Sequence, residues 1–101
     1  MIKKEKQEIE IELEDIKIIM QDNFNHFQEI LDNCFCPKCP KTVTTIVNYK
    51  AYLNHLNDII LRGSCIRCAH NVARYIETGE QIEMAEVAEH IRFIKKNFIT
   101  K

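Results

Sequence analysis

The chain has 101 residues, 46% of them apolar and 29% charged, with 14 basic and 15 acidic side chains. That size and balance fit one soluble globular domain, and the sequence shows no internal repeat or low-complexity tract. The near-neutral total also lacks the basic footprint common among nucleic-acid binders, and no apolar run approaches the roughly 18 residues of a membrane span.

Only two glycines and two prolines occur. That scarcity argues against a turn-rich all-β fold and for long helices. The expected fold class is therefore mainly α. A long N-terminal helix is followed by about three further helices, stapled by a four-cysteine metal site, with a short extended segment near 42–49 as a local alternative. One domain, 1–101, is expected in three parts: a long acidic helix (1–33), a basic cysteine-bearing core (34–76) and a C-terminal helix (77–101). Residues 1–35 hold nine acids and four bases, whereas residues 36–76 hold six bases and one acid. Met1 is followed by Ile-Lys-Lys-Glu-Lys-Gln-Glu, which has no apolar signal core, so the expected location is cytoplasmic.

Residues 2–32 read first as a long helix. Ile9, Leu13, Ile16, Met20, Phe27 and Ile30 fall on alternating four- and three-residue steps, a heptad seam. At about 1.5 Å per residue such a helix is about 45 Å long, more than one small core covers. It calls for a second helix along it, from this chain or from a partner in a dimer. The rival local reading is an edge strand, because Ile9-Glu-Ile-Glu-Leu-Glu alternates with period two.

Asn33–Pro40 holds three of the five cysteines and both prolines. Cys36 and Cys39 form one C-x-x-C pair, and Cys65 and Cys68 form another after 25 intervening residues. Each pair can aim two thiolates at one ion, and two pairs complete a tetrahedral shell of four sulfurs. Cys36, Cys39, Cys65 and Cys68 are the expected metal ligands and zinc the expected cofactor, an iron–sulfur cluster being the lesser alternative. Cys34 reads as buried and unliganded, and His70 as pointing away from the site.

Residues 41–62 show a patchy helical stripe from Val43 to Ile60, ended by Gly63. A straight helix of 20 residues is about 30 Å long, while one zinc spans only about 4 Å between sulfurs. Three resolutions are open. The segment folds back, with 42–49 extended, Ala51–Arg62 returning as a short helix and Asn48, Asn54 or Asn57 supplying the turn. Otherwise the pairs meet between chains, or each end holds its own ion. Ser64 reads as the N-cap of a helix over 65–77, with Cys65 and Cys68 on its first turn. A knuckle, a connecting segment and C-x-x-C at a helix start resembles the treble-clef arrangement of many zinc modules, with Pro40 where glycine is usual. The two pairs alone carry that likeness, and no family follows from it. Residues 81–98 read as the last helix, with Ile82, Ala85, Ala88, Ile91, Ile94 and Phe98 near one face.

No Gly-rich phosphate loop or Ser-His-Asp arrangement appears, and four thiolates leave a metal no open position for substrate water. A non-enzymatic protein-interaction or regulatory module is expected, binding a protein partner or itself through the N-terminal helix. The alternative is nucleic-acid binding through Lys38, Lys41, Lys50, Arg62, Arg67 and Arg74, with Tyr49, Tyr52 and Tyr75 available for stacking.

Overall fold

A four-stranded antiparallel sheet organises the molecule in a computed structural model that describes residues 8–39 and 43–99. The strands are β1 (Ile9–Ile11), β2 (Ile46–Leu53), β3 (Ile59–Cys65) and β4 (Asn71–Ile76), and they lie in that order across the sheet. The helices are α1 (Leu13–Met20), α2 (Phe27–Leu31) and α3 (Ile82–Ile99), with 3₁₀ turns at Gln21–His26 and Thr78–Glu80. The mainly-α expectation is thus overturned, and only the helix expected over 81–98 lies where it was placed.

The long first helix is corrected into four short pieces. The alternating Ile9-Glu-Ile stretch pairs with Ala51–Leu53 as β1. Asp15 accepts the backbone amide of Glu12 at 2.8 Å, which turns the chain from strand to α1. Gln21 then takes φ 55, a left-handed conformation that an α-helix cannot continue through. The expected seam survives as burial rather than as one helix. Ile16, Met20 and Phe27 are buried, but they reach the core from two separate helices, and Leu13 stays 46% exposed. A short sheet offers a short apolar floor, which 8- and 5-residue helices cover better than a 45 Å rod.

The short helix expected over Ala51–Arg62 and the helix expected over 65–77 are replaced by strands, and β2 begins inside the 42–49 segment. β2 and β3 form a hairpin whose turn uses two of the three asparagines noted above. Asn54 Oδ1 accepts the amides of Leu56 and Asp58, both at 2.9 Å, and Asn57 adopts φ 66. Asn48, at φ 53, sits in a bulge where the register shifts between Val47↔Ser64 and Lys50↔Arg62. Gly63 faces that bulge. A Cβ on it would lie 2.5 Å from the Val47 carbonyl oxygen, so Gly63 permits the close strand approach rather than ending a helix. Gly63→Ala is expected to cost about 1–3 kcal/mol by overpacking, read as a lower denaturant midpoint at unchanged slope.

Strand alternation gives the sheet one covered and one open face. Ile11, Ala51, Leu53, Ile59, Leu61 and Val72 turn inward and join one core with residues of all three helices, including Ile16, Phe27 and Ile91. On the open face Glu10, Tyr52, Ile60 and Tyr75 stand directly opposite one another across the four strands. Ile60 is only 3% exposed there, between the two tyrosines. Among the described residues no helix is long and apolar enough to cross a membrane.

Candidate metal centre

The hairpin removes the distance problem that a straight helix creates. β2 runs away from the first cysteine pair and β3 returns to it, so both pairs lie at one end of the sheet. The Thr44–Thr45 backbone joins the two loops. Cys34 and Thr44 exchange backbone hydrogen bonds at 2.9 and 2.8 Å, and the Ile66 amide donates to the Thr45 carbonyl at 3.0 Å. Each pair is closed by its own turn. The Cys39 amide donates to the Cys36 carbonyl at 3.0 Å, and the Ala69 amide to the Cys65 carbonyl at 2.8 Å. Ala69 takes φ 66, and the Cys65 amide donates to the His70 carbonyl at 2.9 Å as the chain enters β4. The second pair therefore sits on a hairpin turn, which corrects the treble-clef likeness.

The sulfurs of Cys36, Cys39, Cys65 and Cys68 all lie within 4.8 Å of one another in a single chain. Cys36 Sγ is 3.7 Å from Cys68 Sγ, and Cys39 Sγ is 3.9 Å from it. Sulfurs at the corners of a tetrahedron with metal–sulfur bonds of about 2.3 Å are about 3.8 Å apart. The donor set and its spacing thus fit one tetrahedral ion, and this four-cysteine group can hold a metal. Neither the shared-site nor the two-ion resolution is needed. Cys34 and His70 fall outside the group. Cys34 is fully buried, its sulfur 3.7 Å from the Ala73 carbonyl oxygen on β4, and burial raises its pKa.

None of the five cysteines is in a disulfide. The Thr44 hydroxyl, 3.1 Å from Cys65 Sγ, is the main cause that draws the Cys65 thiol down to about 6, aided by backbone amides that include Arg67 N–H at 3.4 Å. Desolvation, followed by hydrogen bonds with the thiols of Cys68, Cys65 and Cys36, pushes Cys39 up to about 12. At Cys68 a backbone hydrogen bond with His70 acts downward, but desolvation and the neighbouring thiols outweigh it. Without a metal these groups favour the thiolate at Cys65 and resist it at Cys39 and Cys68. A divalent cation reverses that logic by stabilising every thiolate at once. Each pair also carries one cation between its cysteines, Lys38 in the first and Arg67 in the second, against the net −2 of a dication with four thiolates.

Sequence reasoning missed Thr44, because a hydroxyl that hydrogen-bonds a ligand leaves no spacing signature. It grouped six basic residues, five of which are described and lie apart. Lys38 and Arg67 flank the cysteines, while Lys50 and Arg62 stand opposite each other on the open sheet face. Arg62 is paired with Glu8 at 2.8 Å and lies 4.9 Å from the Tyr52 ring centroid. Arg74 turns toward α2 and donates to the Ile30 and Tyr75 carbonyls. Lys41 lies outside the described residues, as does Pro40.

Fold and site together define a class: a small domain with helices on one face of an antiparallel sheet and a four-cysteine, metal-competent group at the sheet's end. No protein-family model, curated protein or solved structure matches the chain.

Proposed function

We propose that the chain is a non-enzymatic zinc module, acting in protein interaction or regulation, whose ligands are Cys36, Cys39, Cys65 and Cys68. The observation that carries this reading is the convergence of the four sulfurs within 4.8 Å. Zinc is favoured because paired C-x-x-C spacing suits it, and a four-thiolate shell is typical of structural rather than catalytic zinc. A cluster would interpose several irons and sulfides between its thiolates, and four sulfurs all within 4.8 Å of one another leave no room for that. A reducing compartment such as the cytoplasm suits four thiols kept available for an ion. Exposed apolar side chains, among them Ile82 at 76%, Phe35 at 66% and Phe93 at 63%, support a role in binding protein. Nucleic acid as the partner draws less support, since the described basic residues of 36–76 are dispersed and Arg62 already faces Glu8.

Native mass spectrometry of protein purified without chelator, with elemental analysis, tests the metal. One zinc per monomeric chain is expected, and a chelator should remove it together with folded structure. Metal-free protein that melts like the untreated sample would sink the proposal, and one iron per chain would replace zinc.

A further inference from the structure

We infer that the cleft between the Gln21–His26 turn and the start of α3 is a docking groove for a cationic amphipathic segment of a partner protein. This deepens the interaction role proposed above and rests on it. Two adjoining depressions of about 490 and 470 Å³ share Met20, Asn23, Glu80, Gln81 and Met84. Their floor is apolar and continuous with the core. Met20 is buried, and Ile30, Ile76 and Met84 are partly buried against the core cluster. Ile82, at 76% exposure, extends that floor to the edge.

The rim has one sign. Glu77, Glu80 and Glu83 line it and are exposed, and no lysine or arginine lines either depression. His26, on the opposite wall, has its ring 3.5 Å from Glu29. Arg74 lies at the adjoining depression, but its guanidinium is spent on the Ile30 and Tyr75 carbonyls. None of the three rim carboxylates has a cationic partner among the described residues.

Charge complementarity therefore selects the occupant. Apolar side chains displace water from the floor, and lysine or arginine side chains beside them meet the three carboxylates. This is the helix-in-groove mode of peptide recognition. Two methionines suit it, because the unbranched thioether adapts to differing apolar shapes. The same carboxylates repel phosphate, so a nucleic acid is the wrong occupant for this face.

The test uses the zinc-loaded full chain and a labelled leucine–lysine peptide patterned at helical spacing, with a leucine–glutamate peptide as its counterpart. Fluorescence anisotropy at low salt is expected to show binding of the first and not the second. The triple variant Glu77→Gln, Glu80→Gln, Glu83→Gln is expected to weaken it about tenfold, summing three modest ion pairs. Met84→Lys is expected to abolish it, while Glu10→Gln with Glu14→Gln, acids remote from the cleft, leaves it unchanged. Methyl NMR signals of Met20 and Met84 are expected to shift on peptide addition. Equal affinity for the triple variant, equal loss in the remote variant, or silent methionines would overturn the groove. Self-association abolished by the triple variant would also overturn it, by giving the groove to a second copy. Zinc is quantified in every variant. Lost binding with full zinc is a groove result, and lost zinc would count against the module itself.

Discussion

Cys65→Ser is expected to abolish zinc binding and to unfold the domain at ordinary temperature. Cys65 is 2% exposed, ends β3 opposite Ile46 and accepts both the Thr44 hydroxyl and the Arg67 amide on its sulfur. The Thr44 hydroxyl also draws its thiol down to about 6, toward the thiolate that a metal needs. Serine keeps the hydrogen bonds but supplies no thiolate. Binding free energies of structural zinc are about 10–16 kcal/mol near neutral pH, and they are also folding free energy. Whole-domain stabilities are about 5–15 kcal/mol, so losing one ligand of four removes a large share of the total. Elemental analysis should find well under one zinc per chain, and circular dichroism should show lost structure at 37 °C. Cys34→Ser is the informative contrast. Its sulfur lies outside the four-sulfur group, so full zinc and a loss of only about 1–2 kcal/mol are expected. Full zinc with unchanged melting in Cys65→Ser, or lost zinc in Cys34→Ser, would overturn the ligand assignment.

The four ligands were legible because coordination chemistry dictates spacing directly: two thiolates two residues apart serve one ion wherever the surrounding chain runs. The sheet was not, because its buried positions satisfy both periods. Val72 and Ile76 are four residues apart, which is one helical turn and also two strand repeats. Around Ile9 and Ile11 only the alternation with Glu10 and Glu12 marks the strand. In β2 the bulge at Asn48 shifts the alternation by one, so Ile46, Ala51 and Leu53 share the inner face at steps of five and two that no regular template matches. The misfit between a rigid helix and one ion was the real pointer to a hairpin, and Asn54 and Asn57 were its turn chemistry. The acidic N-terminal region meets the basic core at one ion pair, between Arg62 and Glu8, the residue just before β1.

Arg92→Leu is expected to be the most damaging change far from the metal. Arg92 is 3% exposed, and no periodicity argument flags a charge inside α3 as buried. Its guanidinium joins α3 to the β2–β3 turn. Nε and Nη2 donate to Asn57 Oδ1 at 3.3 and 2.9 Å, and Nη2 also donates to the Asn54 carbonyl. Asn57 in turn donates to Glu89 at 3.1 Å, and its carbonyl accepts the Thr78 hydroxyl at 2.7 Å. Asp58 accepts the Gly79 amide at 2.8 Å, and Gly79 sits where a Cβ would come within 1.9 Å of the Leu56 carbonyl oxygen. The turn, the segment before α3 and α3 itself thus share one buried polar network. Leucine fills most of the volume but leaves Asn57 Oδ1 without the donors that hold a left-handed Asn57 in place, while the Asn54 carbonyl keeps only the Asn57 amide at 3.0 Å. An orphaned buried acceptor costs about 1–3 kcal/mol, so a loss of about that size is expected by chemical denaturation. Arg92→Lys should recover little, since a point ammonium cannot reproduce a planar fork that reaches two acceptors. Burial already works against the charge of Arg92, with Glu89 partly offsetting it, so the network rather than the ion pair sets the cost. Because the node lies at the end of the hairpin opposite the cysteines, folded Arg92→Leu protein at low temperature should still bind one zinc. Hydrogen exchange would then show protection lost around Asn54–Asp58 and the start of α3 while the cysteine loops keep theirs. Uniform loss across both ends would mean that the hairpin transmits the damage, and an unchanged denaturation midpoint would show that solvent replaces the guanidinium without cost.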